Sequence, residues 1–196
     1  MLDRTTYVIR EHVGMLKLSD TYDILDPDTQ AQIGIAKEEP GALILFLRFL
    51  MDKDKLPTKV FIYEGDNPED RSRLQFSIER GFTFLRAKVN VCDAQGQVIG
   101  WFKRKLLSLG GAFDVFNAEG QQIAAVKGDW KGWNFKFLDN SENEIGHISK
   151  EWAGLAKEMF TSADTYVLKL HSQPTPETAA LLVAAGLAID IVFKES

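Results

Sequence analysis

Cysteine is almost missing from this chain. A single residue, Cys92, excludes an internal disulfide framework and a cysteine-rich zinc centre. It sits at the apolar end of a strand-like run and reads as a small core residue. An excess of positive charge is also lacking. The formal net charge of −5 argues against nucleic-acid binding through bulk electrostatics, so no nucleic-acid partner is expected. No run reaches the roughly 20 apolar residues that cross a bilayer. The opening MLDRTTYVIREHVG has no signal-peptide core. Spacers rich in Gly, Ser or Pro do not occur, so residues 1–196 read as one domain of a soluble, cytoplasmic protein.

Recognisable catalytic signatures are scarce as well. There is no G-x-x-x-x-G-K phosphate loop and no dinucleotide fingerprint. Gly110-Gly111 reads as a turn between strands. His12, His147 and His171 are scattered and share no ligand spacing. No nucleophile is accompanied by a base and an orienting group, so the chain is not expected to be an enzyme.

What the sequence does have begins at its far end. Thr175-Pro176-Glu177 is a helix start: a capping hydroxyl, a proline where no N–H is needed, and a carboxylate at the positive dipole end. From Ala179 to Ile189 every residue is apolar or glycine. A helix without a polar face must be buried. The stretch 176–193 is therefore expected to be a central plug enclosed by other elements. Burying about ten such side chains at roughly 1.5–3 kcal/mol each exceeds a typical total stability of about 5–15 kcal/mol. The helix cannot serve as both plug and membrane anchor at modest cost.

The enclosing elements show in a recurrent pattern. Tyr22–Gly34, Val89–Gly100, Phe113–Ala124 and Phe135–Gly146 each carry two apolar residues one apart, then Asp or Asn, a polar turn, and an apolar return. A degraded fifth copy spans Val60–Ile78. A short polar side chain at that position can bind the turn backbone, and Gly96 and Gly120 can take positive φ. Near the start, Met15, Leu16 and Leu18 form another strand-like run, and Tyr166–Leu170 reads as the last strand. Repeated hairpins around an apolar helix predict a mainly β fold: a closed antiparallel barrel of about a dozen strands.

One segment breaks the alternation. In Gly41–Met51, Leu43, Phe46, Leu47 and Leu50 share helical spacing. This reads as a short helix covering a barrel end. The sharper alternative is an interfacial segment dipping into lipid, with Arg48 at headgroup level. Lys103, Arg104 and Lys105 follow the Trp101-Phe102 strand, and Lys127 and Lys131 are read into the next loop, beside Trp130 and Trp133. Lysines with indoles at a rim can engage anionic headgroups, which makes Lys103, Arg104, Lys105, Lys127, Trp130 and Lys131 the candidate lipid-binding residues. A solvated rim that keeps the protein soluble is the competing interpretation.

The run Ile145–Leu170, with Ile145, Gly146, Ile148, Ser149, Lys150, Trp152, Gly154, Phe160, Thr161, Ala163 and Asp164 in its motif, resembles the C-terminal part of the phospholipid scramblase family. Ile189 and Asp190 match the family's final apolar helix. With tubby-like and LURP-one-related proteins, that group implies a closed β-barrel around a buried C-terminal helix. It also implies an anionic membrane surface or phosphoinositide-like headgroups as partners. A soluble protein-interaction scaffold is the alternative, with a protein partner instead. The family's calcium loop begins with Asp, where this chain has Ser162, and its last acidic ligand aligns with Gln173. Asp164 alone remains of that loop, so no cofactor is expected and calcium dependence is in question. The cysteine cluster and proline-rich segment of vertebrate members have no counterpart here, and lipid anchoring is not implied.

Overall fold

The computed structural model describes residues 1–12, 19–50, 55–82, 88–105, 112–129, 133–150 and 165–193. The strand-like run at 15–18 and the Gly110-Gly111 turn lie outside them. Twelve strands are formed: Thr6–Glu11 (β1), Thr21–Leu25 (β2), Gln32–Glu38 (β3), Thr58–Glu64 (β4), Leu74–Arg80 (β5), Lys88–Asp93 (β6), Val98–Arg104 (β7), Ala112–Asn117 (β8), Gln122–Asp129 (β9), Asn134–Leu138 (β10), Glu144–Ser149 (β11) and Thr165–Leu170 (β12). Each pairs with its neighbours in sequence, and β1 pairs antiparallel with β12, closing the ring. Closure leaves no open strand edge.

All five predicted hairpins are present; in four the predicted Asp or Asn holds the turn, and in the degraded fifth Asn67 and Asp70 do so, accepting from the N–H groups of Glu69 and Ser72. Asp93 Oδ1 accepts from the N–H groups of Gln95 and Gln97, at 2.9 and 2.8 Å. Asn117, Asp139 and Asp26 hold the turns of their own hairpins in the same way. Gly96 and Gly120 adopt φ of 81° and 78°, the left-handed region that costs glycine nothing.

Thr175 caps the terminal helix, Pro176–Ala188 (α2), by accepting from Thr178 N–H at 3.2 Å. The helix continues into one wide π turn at Ile189–Phe193. Every residue from Ala179 to Ile191 is buried. They form one continuous core with the inward-facing residues of the strands, among them Ile62, Phe76, Phe102, Val115, Phe137 and Leu168. The helix packs most closely on β5, β7 and β8. At Gly100 the wall comes so near that an added Cβ would lie 2.5 Å from Leu181 Cδ2.

The two ends of the barrel differ. Short turns and the N-terminus of α2 occupy one end. The other end, here the long-connection end, carries the connections after β1, β3, β5, β7, β9 and β11, all but the one after β9 at least seven residues long. A six-residue helix, Ala42–Leu47 (α1), lies in one of these connections.

Candidate lipid-facing end

The helix α1 forms where its apolar spacing predicts one, with Ile44, Leu45 and Leu47 half-buried. None of its residues is buried, and Leu43 and Phe46 are 68% and 60% exposed. Phe49 and Leu50, just beyond it, are 79% and 67% exposed. Arg48 does not reach outward to headgroup level but turns back to pair with Glu38, whose side chain is fully buried at the end of β3. Glu38 also accepts from the Asp20 N–H at 3.2 Å, which ties the rim together. The ion pair fastens the connection at Arg48, while Leu43, Phe46, Phe49 and Leu50 stay exposed. Phe82, after β5 at the same end, is 57% exposed.

The basic residues are distributed more unevenly than the sequence suggests. Lys103 and Arg104 belong to β7 itself and are exposed at the long-connection end. Lys103 stands opposite Lys88 across the ladder, and Lys88 Nζ lies 4.5 Å from the Trp101 ring centre. Trp101 in turn stacks on Phe116 at 4.0 Å, giving the outer wall an aromatic and basic strip. Lys105 pairs with Asp114 at 2.8 Å. Lys127 is not in a loop as predicted. The β9 strand runs on to Asp129, because Lys127 pairs across the ladder with both Ala112 and Lys136. Its ammonium meets Glu142 at 2.9 Å, in the turn between β10 and β11, and is drawn away from the long connections. Trp130 and Lys131 lie outside the described residues.

Trp133 is half-buried, its indole turned against the core. It packs against Tyr166 and Phe135, with ring centres 5.3 and 6.1 Å apart, and Lys150 Nζ sits 4.5 Å over it. Cys92 is buried as expected, and burial pushes its thiol pKa up, which makes it a poor nucleophile.

For calcium, Asp164 and Ser162 lie outside the described residues. Gln173 is exposed and offers a neutral amide oxygen where the resemblance asks for a carboxylate. Calcium takes six to eight oxygen ligands, normally with several carboxylates, and of the three loop positions Gln173 alone is among the described residues.

Sequence spacing missed two features. The exposure of Leu43, Phe46, Phe49 and Leu50, and the Arg48–Glu38 pair beside them, are announced by no local pattern. His147 and His171, read as scattered, stand together with Glu144 on the outside of the barrel at the short-turn end. Among the described residues no helix is long and apolar enough to cross a membrane.

Comparison with known proteins places the sequence among relatives. Mouse and rat phospholipid scramblase 1 are each 33% identical to the chain over 63 residues, which is 32% of this chain. The matched segment covers 19% and 18% of those relatives, so their whole-protein activity is not carried over by it. No solved structure gives a significant match. The scramblase family model matches residues 71–196, from the short 3-10 turn before β5 through the central helix. With well over half of its length matched, the chain belongs to the scramblase family.

Proposed function

We propose that the protein is a scramblase-related, non-enzymatic barrel that docks peripherally on anionic membrane surfaces from the cytoplasmic side, with its long-connection end toward the lipid. The observation that carries this reading is the outward apolar group Leu43, Phe46, Phe49 and Leu50, fastened to the rim through Arg48. Exposed large apolar residues gathered on one short segment are the kind of feature that enters the acyl boundary. Lys103 and Arg104, at the same end, supply attraction to anionic headgroups of the phosphoinositide or phosphatidylserine type. The central helix stays in place throughout, since it is the core. In this reading docking does not need calcium, because Ser162 and Gln173 stand where the resemblance asks for carboxylates.

Sedimentation with anionic vesicles tests the proposal. Binding is expected at low salt without calcium, and it weakens as salt screens the charges. The double variant Phe46→Ser, Phe49→Ser should abolish it without lowering thermal stability, as neither side chain is buried. Failure of the wild-type chain to sediment at low salt would reject lipid docking. The apolar segment would then belong to the interaction-scaffold alternative, as the contact for a protein partner.

A further inference from the structure

The cluster of Glu144, His147 and His171 is built by an irregularity in the ladder. Pairing between β10 and β11 steps from Phe137↔Gly146 to Leu138↔Glu144, so Ile145 is an extra residue on β11. In a regular strand Glu144 would share the inward side with Gly146 and Ile148. The bulge reverses its parity and brings it onto the outer face beside His147. His171 arrives from the next strand. Its N–H donates to Ile145 O at 2.9 Å, extending the β11–β12 ladder by one step.

The side chains then converge. His147 Nδ1 lies 3.3 Å and His171 Nε2 3.5 Å from the same oxygen, Glu144 Oε1. One ligand atom from each residue falls within 4.8 Å of the other two. A tetrahedral ion with bonds of about 2.0–2.1 Å needs ligand atoms about 3.4 Å apart, so two of the three edges are already near that length. His171 Nδ1 is 2.8 Å from the carbonyl oxygen of Glu144. A carbonyl only accepts, so Nδ1 carries the proton. In the neutral ring Nε2 then keeps its lone pair toward Glu144 Oε1. Lys136 holds the other carboxylate oxygen, Oε2, at 2.7 Å and leaves Oε1 directed at the imidazoles. All three side chains are partly open to solvent, at 28%, 28% and 42% exposure, so an ion can enter without any opening of the barrel.

We propose that Glu144, His147 and His171 form a binding site for a divalent transition metal of the zinc class, with water completing the coordination. Two imidazoles and one carboxylate suit zinc and its neighbours and give too few oxygens for calcium. Lys136, and Lys169 beside His147 in the ladder, add positive charge around the site. They oppose the approach of a cation and so weaken its binding. The site stands at the short-turn end, away from the proposed lipid-facing residues, and is independent of that reading.

Titration calorimetry of the full chain with zinc alone tests the site. One zinc per chain should bind at neutral pH, and a chelator should remove it. Calcium and magnesium should give no binding under the same conditions. Glu144→Gln and His171→Gln should each weaken zinc by more than about tenfold, and His147→Gln with His171→Gln should abolish it. Circular dichroism of the metal-free variants should match the parent, since the three residues lie on the surface. No zinc binding by the parent, or binding that persists in the double histidine variant, overturns the proposal.

Discussion

Tyr22 on β2 donates its phenol hydrogen to Asp190 Oδ2 at 2.8 Å, joining the wall of the barrel to the end of the central helix. Both groups are buried. Burial, with the Asp190 carboxylate alongside, pushes the Tyr22 phenol pKa far upward and keeps it a donor. The contact falls in the π turn, where the helix widens as it reaches the long-connection end. Tyr22→Phe removes the donor and leaves a carboxylate oxygen in the core without it. The expected cost is about 1–3 kcal/mol. In a chain of this size each kcal/mol corresponds to roughly 2–4 °C in melting temperature. Chemical denaturation of the variant checks this, and an unchanged midpoint contradicts it.

Close approach of the helix to the wall gives a second prediction. A Cβ at Gly100 would press on Leu181 of α2 and on the Phe116 carbonyl. Gly100→Ala should therefore overpack the interior and destabilise by about 1–3 kcal/mol. Gly41→Ala is the control, because nothing lies within 4 Å of a Cβ there. Equal stabilities for the two variants would show that the helix has room to shift.

Alkaline titration reads the buried phenols. Burial raises the Tyr7 pKa to about 12, and it raises those of Tyr22 and Tyr63 as well. Each folded value lies above the unfolded value of about 10. Their contribution to stability is thus complete below about pH 10 and is lost as pH rises past it. Tyrosinate absorbance should lag behind that of the denatured chain and then rise together with unfolding. Ionisation of all four tyrosines near pH 10 in an intact barrel would be incompatible with this.

The uneven engagement of the lysines predicts unequal effects on vesicle binding. Lys127 is tied to Glu142 and turned from the long connections, whereas Lys103 projects beside Trp101. Lys103→Ala should cost roughly 1 kcal/mol of affinity for anionic vesicles, about fivefold. Lys127→Ala should cost much less. Equal losses would place the membrane contact elsewhere on the barrel.

Most of the wall and the plug could be read directly from residue order. Hairpins are local, so Asp93, Asn117 and Asp139 mark turns from within a dozen residues. The helix needs no partner to reveal itself, since a rod without a polar side has nowhere to go but inside. The site features depend on relationships between strands. Helical spacing puts Leu43, Phe46, Leu47 and Leu50 on one side; Leu47 is half-buried, and the exposure of the other three is not marked in the local pattern. Similarly, Glu144 and His147 take the same face through one extra residue in β11, and His171 joins them across a ladder. Lys127 reads as loop in residue order because nothing local marks how far β9 continues.

The pairing of β1 with β12 has a consequence for biosynthesis. More than 150 residues separate the strands that complete the cylinder, and the rod that fills it is translated later still. Until the ribosome has released almost everything, the nascent sheet is a curled ribbon with two bare edges and an unfilled, greasy hollow. Such contacts between distant parts of a chain form slowly, and half-made sheets are prone to clumping. Shielding by chaperones should matter most in that interval, just before the cylinder shuts around its filling.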